Sequence, residues 1–117
     1  MTAGEAKNCL REWQNRLRLS DWTITINPQC TPSEIPAQDV DGYTEWSESI
    51  KTACIYILDP FYYGKRIRAY DFERILVHEL LHLKFSLLDD GENSLQTRYV
   101  HQVIDDLAVA LADAKEH

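Results

Sequence analysis

Apolar positions recur along this chain with two different periods. Between residues 4 and 18, Ala6, Leu10, Trp13 and Leu17 fall at helical spacing with arginines between them, which predicts an amphipathic first helix. Ser20 and Asp21 interrupt it. The period then becomes two: Trp22, Ile24 and Ile26 alternate with polar residues, the pattern of a half-buried strand. Residues 27–41 carry Pro28, Pro32 and Pro36 and read as a long irregular loop built by turn chemistry. Residues 43–46 suit a short second strand. Thr52 to Leu58 is rich in β-branched and aromatic residues and reads as a third, ended by Asp59-Pro60.

The helical period returns after an aromatic and basic connection over residues 61–70. Phe72, Ile75, Leu76, Leu80, Leu83 and Leu87 form an apolar stripe. Asp71 is placed as its N-cap and Glu73 lies in its first turn, so a helix is expected to about Leu88, with Gly91 near its C-cap. Asn93 with Gln96, or Ser94, then opens a last helix to about Lys115. Its buried stripe is expected to be Val100, Val103, Ile104, Leu107, Ala108 and Leu111. The order is helix, three strands, helix, helix. That is a single α+β domain covering residues 1–117.

Composition narrows the classes. A chain of 117 residues with 44% hydrophobic and 26% charged residues can bury its own core. Cys9, Cys30 and Cys54 are scattered, without paired spacing, which argues against a disulfide framework or a cysteine-ligated metal. Cys54, in an apolar strand, is expected in the core. The start of the chain lacks a basic-then-apolar leader pattern, and no apolar run approaches the roughly 18 residues of a membrane span. A cytoplasmic location and no membrane partner are expected. Net charge is −7, so most of the surface repels phosphate backbones and a nucleic-acid partner is not expected. Lys65-Arg66-Ile67-Arg68, the one basic run, reads as a solvated loop.

The chemistry lies in the fifth element. His78-Glu79-Leu80-Leu81-His82 places two histidines at i and i+4 on one helical face. Two imidazoles so placed can hold one ion, and zinc favours nitrogen ligands, with three protein groups and an open position at a catalytic site. Glu79 directly follows the first ligand, where it can take a proton from water. One zinc per chain is expected. The third ligand must come from elsewhere. His101 lies at the edge of the last helix's apolar stripe, with Asp105 one turn further along. His101 is the leading candidate, with Asp105, Asp89 and Asp90 as alternatives, and terminal His117 is set aside. Asp105 has a second possible role, orienting His78 or His82 by accepting a ring N–H. Tyr70 and Tyr99 flank these segments and are read as packing aromatics.

Taken together, these residues resemble the gluzincin branch of zinc peptidases in its smallest single-domain form, the minigluzincins, as found in phages and prophages. The resemblance rests on the His-Glu-Leu-Leu-His helix, on the late helix with His101, Asp105 and Leu107-Ala108, and on Leu19-Ser20-Asp21-Trp22-Thr23-Ile24 leading into a strand. It covers most of residues 19–112. Phe85 and Leu88 stand where another large branch of such proteins carries a glycine and a third histidine, so that branch is excluded. The resemblance implies hydrolysis of a peptide or protein substrate, with zinc as cofactor and Glu79 as general base. It also implies an edge strand that pairs with the substrate, for which Thr52 to Leu58 is the candidate. The departure is His101, which stands where gluzincins carry a glutamate ligand, whereas Asp105 matches their later aspartate. Two further readings compete: an SprT-like protease working near DNA, which also uses a later histidine, and a non-enzymatic interaction or antirepressor protein that keeps a zinc site for stability. The intact Glu79 counts against the last.

Overall fold

The computed structural model describes residues 1–89 and 91–115. Six main elements follow one another: helix α1 (Ala3–Arg16), strands β1 (Thr23–Cys30), β2 (Gly42–Ser47) and β3 (Thr52–Leu58), helix α2 (Phe72–Lys84) and helix α3 (Leu95–Lys115). This is the expected α+β order. Single 3-10 turns sit at Pro32–Glu34, Pro60–Tyr62 and Ser86–Leu88.

The sheet has the order β1-β3-β2. β3 pairs in parallel with β1, from Thr23 opposite Thr52 onward, and antiparallel with β2, where Thr44 faces Ile55. The expectation that Thr52 to Leu58 is an open edge is therefore overturned. Its dense β-branched and aromatic composition belongs to the central strand, which is flanked on both sides. The edges are β1 and β2. β1 also runs four residues further than its alternating pattern, to Cys30, where the register with β3 shifts. The irregular loop is correspondingly shorter than residues 27–41.

The core lies between the sheet and the helices. Ala53, Ile55 and Ile57 of β3 point into it and meet Ala6, Leu10 and Trp13 of α1 and the apolar residues of α2. α2 is the central helix, and α3 packs on it rather than on the sheet. Leu76, Val77 and Leu80 are wholly enclosed, each contributing about 1.5–3 kcal/mol of burial. A smaller cluster of Cys30, Ile35 and Leu58 covers part of the opposite sheet face. Cys54 faces that side and is half-buried, accepting from Asn27 Nδ2 at 3.4 Å. It is outside the main core because alternation along β3 puts Ala53 and Ile55 there instead.

Helix ends decide where the polar residues arrive. Asp71 caps α2 as expected, its carboxylate accepting the Arg74 N–H at 3.2 Å. The helix stops at Lys84 rather than near Leu88. Phe85 is its C-cap, the next three residues form a 3-10 turn, and Leu87 is solvent-exposed. The apolar stripe continues in sequence past the point where anything packs on it. Gly91, with φ of 73°, serves the turn between helices and not the α2 cap. Ser94 Oγ accepts the Thr97 N–H at 3.1 Å and opens α3, whereas Gln96 donates to the Leu88 carbonyl at 2.8 Å. The buried stripe of α3 is Thr97, Val100, Ile104, Ala108 and Ala112. It is rotated from the expected one, so Leu107 turns outward and Val103 and Leu111 sit at the margins. No described helix is long and apolar enough to cross a membrane.

Candidate metal centre

β2 passes over α2 at close range, and between them opens a cleft of about 450 Å³. Its floor is the polar face of α2, with Arg74, His78, Glu79 and His82 in succession. β2 forms one wall through Thr44 and Trp46, and Asp89 and His101 close one end. Gly42 sets the approach. A Cβ there would come within 2.9 Å of Ile75 Cγ2 and 3.0 Å of Glu79 Oε2. Only a residue without a side chain lets the strand lie this near the helix while leaving Glu79 Oε2 clear.

The donor atoms of His78, Glu79 and His82 lie within 4.8 Å of one another, and so do those of His82, Asp89 and His101. The two groups share His82. The rings of His78 and His82 are 5.1 Å apart between centroids, and those of His82 and His101 are 5.3 Å apart. His101 shares no such group with His78, but from α3 it reaches His82. Asp89 reaches it because α2 ends early and the 3-10 turn carries the chain back. Its carboxylate stands 3.5 Å from His101 Nε2. Asp105 does not join either group. It stands 3.2 Å from His78 Nδ1, which assigns that nitrogen to the carboxylate and leaves Nε2 for an ion. Asp90 and His117 fall outside the described residues.

Burial sets the protonation of these groups. Burial, reinforced by the neighbouring His78 and His101, pushes the His82 imidazole down to about 4. His78 is lowered chiefly by burial, against the opposing pull of Asp105. Both are therefore neutral near pH 7, the form in which imidazole binds a metal. Glu79 is only 5% exposed, and burial raises its carboxyl to about 7 against the hydrogen bond from Thr44. Thr44 Oγ1 donates to Glu79 Oε1 at 2.8 Å, so Oε2 remains for proton transfer.

The donor set fits zinc. Two neutral imidazoles on one helix, with a further imidazole and a carboxylate gathered at His82, are the ligand types that zinc takes at three-ligand sites.

Gly42, Thr44 and Arg74 line the cleft and were not singled out from sequence. Thr44 is a polar residue in a strand, its partner Glu79 lies 35 positions further on, and nothing local marks it. Arg74 did carry a signal, since it precedes His78 by four residues and shares its face. Tyr70 packs as expected, donating to the Leu58 carbonyl at 2.8 Å. Tyr99 does not pack; it is 66% exposed, because the rotation of α3 turns it to solvent. No family model, curated protein or solved structure matches the chain.

Proposed function

We propose that this protein is a small zinc-dependent peptidase, with His78 and His82 as metal ligands, His101 as the third and Glu79 as general base. The observation that carries the reading is the setting of Glu79. A buried carboxyl raised to about 7, one oxygen held and the other clear, lies beside two neutral imidazoles in an open cleft. A general base works best when its pKa is near the working pH. A site serving only to hold the fold together has no use for such a group.

Zinc, when bound, supplies the Lewis acidity that polarises a carbonyl and makes water nucleophilic near neutral pH. The chain's own residues do the rest. Asp105 fixes the His78 ring through Nδ1. Thr44 holds Glu79 by Oε1, so that Oε2 accepts the proton from water and returns it to the leaving amine. β2 offers its free edge to an extended peptide, since no further strand pairs with it among the described residues.

The test begins with zinc per chain for the wild type, His101→Ala and Asp89→Ala. About one zinc in the wild type is expected, with the larger loss in His101→Ala; a larger loss in Asp89→Ala moves the third ligand to the carboxylate. Glu79→Gln should then keep its zinc and lose peptide hydrolysis by about 10²–10⁴-fold. A wild type that takes up no zinc, or a Glu79→Gln variant as active as its parent, overturns the reading.

A further inference from the structure

Arg74 stands one helical turn before His78, on the same face of α2, and lines the cleft. It is only 9% exposed, and its Nε and Nη2 are fully enclosed without a hydrogen-bond acceptor. Among the described residues, no other buried side-chain nitrogen or oxygen stands so. A guanidinium has five N–H donors, accepts nothing and keeps its charge at any working pH. Enclosing two of its nitrogens without an acceptor carries a folding cost that a paired anion relieves.

The acids around it are engaged elsewhere. Asp41 Oδ1 pairs with Arg66, Glu79 Oε1 accepts from Thr44, and Asp105 Oδ1 faces His78. Asp71, just before α2, spends its carboxylate on the backbone N–H of Arg74 itself. None of them forms an ion pair with the guanidinium. Its Nε and Nη2 have no acceptor among the described residues, and Arg74 lines the cleft.

We propose that Arg74 receives a carboxylate of the peptide bound in the cleft, so that the protein selects peptides carrying an acidic group within a residue or two of the metal centre. The planar fork of Arg matches a carboxylate with two parallel hydrogen bonds. A single cation among Asp41, Glu79 and Asp89 suits a singly charged ligand better than a doubly charged phosphate. Distance sets the position. Residues at i and i+4 on a helix are about 5–6 Å apart between Cβ atoms, and an extended peptide advances about 3.3–3.6 Å per residue. The carboxylate is either the peptide's C-terminus or an acidic side chain. This inference deepens the peptidase reading by naming its substrate class, but the recognition itself is a binding event that needs no catalysis.

The experiment is calorimetric titration of the full chain in the Glu79→Gln background, where no hydrolysis interferes. Two probe pairs separate the sources: pentaalanine as free acid against its C-terminal amide, and N-acetylated, amidated pentapeptides with a central Glu against a central Gln. One pair should split by about tenfold or more in favour of the acid, and the pair that splits names the source. Adding Arg74→Met should abolish the split, and Arg74→Lys, which keeps the charge without the fork, should restore only part of it. If Arg74→Met does not fold, the same split should appear in the parent as a higher melting temperature with the acid probe than with its neutral partner. Equal binding within both pairs, or a split that survives Arg74→Met, overturns the proposal. A protein that binds zinc and hydrolyses peptides but shows no split loses only this inference. One that shows the split without zinc keeps it and loses the peptidase reading.

Discussion

Glu73 and Arg74 are consecutive residues in the first turn of α2, and their surroundings are opposite. Glu73 faces away from the cleft into the junction of three helices. Its Oε1 accepts from Trp13 Nε1 at 2.5 Å and from Lys115 Nζ, with Cys9 Sγ at 3.9 Å. Lys115 also pairs with Glu12. One carboxylate thereby ties the end of α3 and the middle of α1 to the start of α2. Arg74, facing the cleft, has two enclosed nitrogens with no acceptor. Across the same helix, Glu79 holds one hydrogen bond where Glu73 has several. Polar groups that fasten the fold are saturated, whereas those that line the cleft are left short of partners, which is how a binding site differs from a structural network.

The contrast is sharpest for Glu79, and pH exposes it. In metal-free protein the carboxyl titrates near 7 in the fold against 4.5 when unperturbed. A raised folded value means that the proton-linked stability is full below about pH 4.5 and is lost as pH rises through about 7. Glu79→Gln mimics the protonated form. It should therefore stabilise the metal-free fold by about 3 kcal/mol near pH 8, and by almost nothing near pH 4. Urea melts of the two proteins at both pH values measure this. An equal gap at both would mean that Glu79 is solvated.

Glu73→Ala should act in the other direction. It strands the Trp13 N–H and part of Lys115, and should destabilise the fold by about 2 kcal/mol without changing metal uptake. Asp105→Ala releases the His78 ring and should weaken the proposed zinc binding about 10–100-fold, with little change in stability because Asp105 is largely exposed. The smallest effect expected is that of Arg74→Met, which should leave the unliganded fold as stable or raise it by about 1 kcal/mol. A clear loss there would make Arg74 a structural residue like its neighbour and break the comparison.

The parts legible in the sequence were those written locally. The Asp71 cap, the i, i+4 histidines and the alternation of β1 each depend on neighbours within a turn or two, and each stands where expected. Strand order was not legible. Thr52 to Leu58 had the composition of a strand, but whether it was central or edge depended on what β2 did, and residues 43–46 said little. The end of α2 misled for a related reason. Leu87 keeps the helical period, yet only packing decides whether a period is used, and Leu87 is solvent-exposed. That early stop is also what brings Asp89 to His82 and His101. In α3 the buried stripe runs through Thr97 and Ala112, a polar and a small residue that apolar patterning does not mark, and Leu107 turns outward.

The uncovered edge of β2 also bears on solubility. A strand with free N–H and C=O groups recruits any extended chain, including another copy of the same protein. Glu45 lies exposed at the middle of this edge, and the chain carries a net charge of −7, so two copies approaching edge to edge repel each other. The acidic peptide proposed for the cleft would meet far less of that repulsion, and the enclosed guanidinium would offset it. Concentrated salt removes the distinction by screening, and is the condition under which self-association through β2 would compete with the ligand.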